Sequence, residues 1–365
     1  GCHLDEENGA VIYAQDGSVT NLKGGTIVGN TTNTGCGGVY YSGPGVNATV
    51  HLDGTNLIGN TACNVSDPND GDYGGGGAIY NENGVVTMSA GRLLYNSAYR
   101  STAIRVPDPI PGVEGTGVFT MTGGEITETN VNMYADSSGR DGVIVIKNGT
   151  FNMTGGSIEY NNAANAAVIA LIDGEEDGVP YSGTFNMSGG TLRDLDNNNS
   201  YLVLVGNSSH TFIVSGNVNI NAKTEHPNVY LASGATITIG GALTGQIKVT
   251  MEEPGVFTSG YSGYHPSEGN IVCFASDSSE YGIKIIDGEL TLVECFDVDF
   301  DSNGGSTIES QTVLSGEYAA EPTMPTQEGF TFLYWYLEED PDTPFDFENT
   351  PIDESITLYA KWEEA

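Results

Sequence analysis

The decapeptide GTFNMTGGSI at residues 149–158 returns almost unchanged as GTFNMSGGTL at 183–192, and more loosely as GVFTMTGGEI at 117–126. The shared pattern is an apolar residue, a spacer, a second apolar residue, a spacer, then Gly-Gly and an aliphatic. A pattern that recurs like this restricts the chain to repeat architectures, in which each unit buries its apolar face only against its neighbours.

Counted from the first position of the Gly-Gly, copies fall at Gly24, Gly54, Ala90, Gly123, Gly155 and Gly189, and two shorter copies end at Gly216 and Gly241. The residues two before these markers are Leu22, Leu52, Met88, Met121, Met153, Met187, Val214 and Ile239. Those four before are apolar in every copy except the first, which has Thr20. Such alternation is that of a strand with one face inward. A second, continuous apolar run lies between markers, at 39–41, 78–80, 103–106, 143–146, 167–172, 201–205 and 229–231. The aliphatic after each Gly-Gly, as in Ile126 or Ile158, starts a third short strand. With 51 glycines and no helical periodicity, three strands per unit predict an all-β chain whose larger part is a right-handed parallel β-helix of about eight or more coils. Coils stack at ~4.8 Å, so eight span roughly 40 Å. A β-propeller, the rival for repeats of this size, needs four strands and an aromatic signature in each blade.

Six residues after the marker stand Asn30, Asn60, Asn96 and Asn161, replaced by Thr129 and Leu195 in two copies. Stacked asparagines can bond amide to amide along the axis and tolerate a left-handed turn, so a structural ladder is expected. Long insertions at 64–77, 107–117 and 174–183 are expected to protrude from one edge of the coils, where binding functions concentrate. Acidic clusters fall in or near them: Asp67, Asp70 and Asp72; Asp173, Glu175, Glu176 and Asp177; Asp194 and Asp196. Carboxylates so spaced are weak candidates for Ca²⁺, with solvated loops as the commoner outcome. Of five cysteines, Cys36/Cys63 and Cys273/Cys295 could each bridge, the second pair ahead of the first, although small buried side chains are the usual result. From 245 to 294 the marker is lost while strand runs continue, which suits the last atypical coils and a cap.

Near Phe296 the texture changes, with five prolines and both tryptophans, Trp335 and Trp362, in the remaining stretch. The residues FDSNGG at 300–305, VLSG at 313–316, PTMPT at 322–326, EGFTF at 328–332, Trp335-Tyr336, FDF at 345–347, TPI at 350–352 and ITLYAKW at 356–362 resemble the Listeria–Bacteroides repeat of internalin-like surface proteins. Tyr334 stands where that repeat has Gly before its Trp-Tyr pair. The resemblance implies a small β-grasp-like domain at 296–365, after a β-helix at 1–295, in a secreted, cell-wall-associated bacterial protein. The GGxIxxN coils are similar to those of bacterial adhesin-type proteins. Both tryptophans are expected in the core rather than on a sugar-stacking surface. Asp297, Asp299 and Asp301, followed by Asn303-Gly304, mimic a calcium loop, but a strand and turn account for them equally, and the closing glutamate of such a loop is missing.

A formal charge of −37 disfavours nucleic acid, anionic membrane surfaces and uronate-rich polysaccharide. No apolar run reaches the ~20 residues of a membrane helix. No secretory signal is present, and Gly1-Cys2 is not a natural start, so a trimmed chain is expected. Polysaccharide lyases need calcium-binding aspartates with an Arg or Lys base, yet Arg92, Arg100, Arg105, Arg140 and Arg193 are scattered. Hydrolases need converging carboxylates, and Glu125 and Glu159 occupy different repeat positions. His3, His51, His210, His226 and His265 have no recurrent Ser or Cys partner. The expectation is a monomeric, non-catalytic surface protein without cofactor that binds a glycan or a host or environmental protein. A glycan-active enzyme and a plain stalk are the alternatives.

Overall fold

The computed structural model describes residues 3–4, 11–32, 37–43, 45–62, 75–81, 83–98, 101–106, 117–131, 142–161, 167–172, 174–176, 178–193, 201–221, 228–265, 271 and 273–365. Among the described residues the only helix is one turn, Tyr261–Tyr264. The chain divides into two units, residues 1–277 with 285–290, and 278–284 with 291–365. The change of texture expected to mark a boundary at 295/296 falls inside one uninterrupted strand, Glu289–Asp301, which carries the chain from the first unit to the second.

The first unit is a parallel β-helix. Its template sheet stacks nine strands, from Val19–Lys23 through Thr150–Met153 to Thr258–Ser259. The continuous apolar runs form a second, aliphatic sheet of ten strands, from Ile12–Tyr13 to Phe274–Ser276. A third sheet holds seven strands, from Thr26–Val28 to Asn219–Asn221. A fourth was not anticipated. It consists of the two-residue strands His3–Leu4, Thr31–Thr32, Thr61–Ala62, Ser97–Ala98 and Asn130–Val131. Two residues are too few to register as a period in the sequence.

The register puts the repeat positions in columns. Leu22, Leu52, Met88, Met121, Met153, Met187, Val214 and Ile239 are successive partners. Beside them Phe119, Phe151, Phe185 and Phe212 stack with ring centroids 4.8, 5.0 and 5.1 Å apart and planes within 7°. The rings therefore measure the coil spacing directly, and all four are fully buried.

The Gly-Gly is explained by what lies against it. A Cβ on Gly155 would come within 2.5 Å of the Thr122 carbonyl oxygen. Gly190 sits at φ +93°, in the region glycine favours, and a Cβ there would meet the Met153 methyl at 2.7 Å. Gly156 repeats the arrangement against Met121 at 2.6 Å. Met88, Met121 and Met153 thus each drop a methyl into the space left by the next coil's second glycine, Gly124, Gly156 and Gly190.

At the C-terminal end the two main sheets continue through Thr258–Ser259 and Phe274–Ser276 after the marker is lost. The Glu289 carboxylate closes this turn, accepting from the Thr258 hydroxyl at 2.8 Å and the Gly260 and Tyr261 amides at 2.6 and 3.0 Å.

The second unit is a mixed sheet. Glu289–Asp301 pairs parallel with Ile356–Glu364 and antiparallel with Gln311–Leu314, while Phe330–Leu337 flanks Ile356–Glu364 antiparallel. Parallel first and last strands are the grasp-like feature, but no helix crosses this sheet. The connecting segment 319–329 carries Pro322 and Pro325, which suppress a helix. Val298, Phe300, Trp335, Leu358 and Ala360 form the core, with Phe345, Phe347 and Trp362 packed on it. Tyr334 pairs with Lys361 just after a register shift in which Leu333 is the extra residue, a β-bulge formed without a positive φ.

Candidate functional site

The β-helix presents two unlike outer faces. On the template sheet the spacer positions point outward and align in rows. One row runs Val118, Thr150, Thr184, Thr211; the next runs Thr120, Asn152, Asn186, Ile213. Thr122, Thr154, Ser188 and Ser215 follow two positions on. Between Val118 and Ser215 no ionisable side chain occurs in these rows, in a chain of net charge −37, whereas the same rows carry His51, Lys23 and Asp53 in the N-terminal coils. Asn186 Nδ2 donates to Asn152 Oδ1 at 2.7 Å, and toward the N-terminal coils His51 Nδ1 lies 2.6 Å from Thr87 Oγ1. The result is a flat lattice of hydroxyls and amides, about 5 Å apart along the axis and ~7 Å across it. It was not foreseen, although the spacers of the decapeptide carry it in plain view.

The aliphatic sheet is instead covered over its middle coils. Its outward row is Tyr13, Tyr41, Tyr80, Arg105, Val145, Ala170, Leu204, Tyr230 and Thr250. Tyr41 and Tyr80 stack and Tyr13 packs tilted on Tyr41, each pair at 5.3 Å, the Arg105 guanidinium lies over the Tyr80 ring, and Arg105 is buried. Val145, Ala167, Ala170 and Ile172 are buried beside Tyr181, Tyr201 and Leu204. Tyr181 belongs to the 174–183 insertion, where Glu175–Glu176 and Val179–Pro180 form a small antiparallel hairpin, and Lys147 Nζ sits 5.0 Å over its ring. The 174–183 insertion follows the strand Ala167–Leu171 of this sheet, while those at 64–77 and 107–117 lie mostly outside the described residues. The next strand, Phe274–Ser276, is followed by Asp277, whose carboxyl burial pushes up to about 6 while it accepts from the Asn228 amide and the Thr250 hydroxyl.

The expected ladder residues are brought together by the coil register. Asn30 Nδ2 donates to Asn60 Oδ1 at 2.8 Å, and Asn60 Nδ2 donates to Asn96 Oδ1 at 3.0 Å. Thr129 enters in place of an asparagine, its hydroxyl donating to Asn161 Oδ1 at 2.8 Å. The left-handed position is not the asparagine but the residue before it: Gly29, Gly59, Tyr95, Glu128 and Tyr160, all with φ between 50 and 65°. At Tyr95 the phenol is raised above its usual range by a side-chain hydrogen bond to Glu128.

Asp67, Asp70 and Asp72, with Asp173, Asp177, Asp194 and Asp196, lie outside the described residues, as do Cys36 and Cys63. Asp297, Asp299 and Asp301 alternate with buried Val298 and Phe300 along a strand. Their oxygens are engaged locally, by the Thr312 hydroxyl, the Ser310 hydroxyl and the Asn303 amide. Among the described residues no group of three His, Cys, Asp or Glu is placed to hold a metal ion. The Cys273–Cys295 bridge is not formed. Cys273 Sγ donates to the Leu243 carbonyl in the β-helix, Cys295 sits in a strand of the other unit opposite Leu314, and burial raises both thiols. Glu125 pairs in register with Ser157, and Glu159 with Thr127, so the two carboxylates occupy different rows; Glu125 bonds Arg92 at 2.8 Å. Trp335 is buried, and the Trp362 indole N–H donates to the Ser302 carbonyl. No helix among the described residues is long and apolar enough to cross a membrane.

Fold and faces together define a repeat solenoid followed by a small mixed-sheet module. Residues 296–361 match the family model of the Listeria-Bacteroides repeat domain. Internalin H of Listeria monocytogenes is 42% identical over 72 residues, 20% of this chain and 13% of its own length. A protein of Evansella cellulosilytica named as a membrane protein is 33% identical over 93 residues, 24% of this chain and 14% of the relative. A second from that organism, named as a Gly-rich membrane protein, is 30% identical over 95 residues, 25% and 11% of the two chains. The chain therefore spans less than a sixth of the length of each of these relatives.

Proposed function

We propose that this chain is part of a bacterial cell-surface protein, displayed outside the cell, and that its β-helix is a non-catalytic binding scaffold for a neutral glycan. Surface display draws support from the match of residues 296–361 to the Listeria-Bacteroides repeat and from the similarity to an internalin and to proteins named as membrane proteins. The glycan reading is carried by one observation, the uncharged hydroxyl and amide lattice on the template sheet between Val118 and Ser215. Protein-protein interface cores favour aromatic and arginine anchors, and this face offers none. A chain of −37 holds anionic partners off, whereas a neutral polyhydroxylated one meets donors and acceptors already fixed in place. Each hydroxyl contact contributes little in water, so single-site affinity is weak and multiple display strengthens it. The reading involves no cofactor.

The test is a glycan array read for binding and for turnover with the purified chain. Binding of neutral glycans without turnover is expected, and it should weaken at least about tenfold in Thr154→Glu with an unchanged melting curve. Turnover would replace this reading with a polysaccharide-active enzyme, and no binding at all with a stalk.

A further inference from the structure

The reading above leaves one buried imidazole unused. His210 is 5% exposed. Its Nδ1 accepts from the Gly183 amide at 2.8 Å, and its Nε2 lies 2.8 Å from the Ile172 carbonyl oxygen. A carbonyl only accepts, so Nε2 carries the proton and Nδ1 the lone pair. Geometry alone thus defines a neutral ring in a single tautomer.

The two partners are the residues that bracket one insertion. Ile172 ends the aliphatic strand Ala167–Leu171 by one residue, and Gly183 precedes the template strand Thr184–Met187. Between them stands the acidic hairpin, closed by its own Tyr181 N–H to the Gly174 carbonyl. One side chain from the following coil therefore ties both ends of the loop. Protonation at Nδ1 would consume the lone pair that holds Gly183, set two N–H donors against each other and place a cation in a dry site.

We propose that His210 is a pH-operated clasp on the 173–182 insertion, closed while the imidazole is neutral and opened when Nδ1 takes up a proton. The transferred proton comes from solvent; no bond other than the Gly183 hydrogen bond is broken. The ionisable groups on the surrounding elements, among the described side chains, are Lys147 on the coil before, Glu175 of the insertion itself, and Glu252 on the coil after, which accepts from the Ser233 amide. Carboxylates among them favour proton uptake and Lys147 opposes it.

The consequence is a hairpin that stands fixed while the imidazole is neutral and loosens as falling pH protonates it. Amide exchange of the full chain, corrected for intrinsic rates, reads this directly on peptides covering 172–184. Protection there should drop at least about tenfold from about pH 7.5 to about pH 5, where most carboxylates stay ionised, while template-sheet peptides hold theirs. His210→Gln, which donates and accepts without titrating, should remain protected at both. An equal drop in His210→Gln, or no drop in the native chain, would overturn the proposal. So would nitrogen NMR shifts placing the proton on Nδ1 at about pH 7.5, a measurement that stands even if the glutamine variant packs poorly.

Discussion

The template sheet and the aliphatic sheet belong to the same coils, share the same parallel ladder and differ in what their outer faces meet. In the template sheet the side chains alternate, buried Phe and Met inward and Thr, Asn and Ser outward. In the aliphatic sheet the strands Gly142–Ile146 and Ala167–Leu171 are buried at every position. The contrast follows from the pleat: alternate residues face opposite sides, so a solvated face imposes alternation and a covered one removes it. Covering comes from insertions such as the 174–183 hairpin, and the bare sheet is the one left uninterrupted. The bare face is regular; the covered face is irregular.

The largest effect should come from breaking the inner column the two faces share. Phe151→Ala removes a fully buried ring from a four-ring stack, for an expected loss of about 3–5 kcal/mol in denaturant unfolding of the β-helix. Outward positions then separate the sheets. Val145→Asp puts a carboxylate under the Tyr181 cover and should cost about 3 kcal/mol or more. Asn152→Asp on the template face keeps the acceptor used by Asn186 and should change stability by less than about 1 kcal/mol. Comparable losses in these two would remove the distinction between the faces. Asn60→Ala, at the corner both sheets depend on, strips the acceptor from the Asn30 amides and the donor from the Ile27 carbonyl; about 2 kcal/mol is expected. The smallest effect concerns Asp277. Its folded-state carboxyl titrates near 6 against an ordinary 3.8, so the folded chain holds the extra proton and stability falls as pH rises from about 4 to 6, then levels. Asp277→Asn should flatten that slope and, allowing for solvent screening, add about 1 kcal/mol at pH 7. A chain whose stability does not fall over that range would mean the carboxyl is not desolvated.

What was legible in the sequence was whatever repeats at full strand length. The column from Leu52 to Ile239 could be read off the marker spacing, because every coil must return the same residue to the same wall. The two-residue strands such as Thr61–Ala62 could not, since no period fits in them. Cys273 and Cys295 illustrate a different failure: two apolar runs close in sequence suggested paired strands, but the chain passes from one unit to the other between them. The neutral lattice was hidden by attention to the inward residues of the decapeptide. His210 carried no local signal at all, because its partners are 27 and 38 residues away and only coil stacking joins them.

The methionine that fills the vacancy of the next coil's glycine makes the copies at 117–126 and 149–158 both plug and socket. A coil built on GTFNM and Gly-Gly can be duplicated, deleted or exchanged with its neighbour, and the joints above and below still close. Such a chain can change length by whole copies without new packing having to be invented. The near-identity of residues 149–158 and 183–192 is what a duplication under that constraint would leave behind.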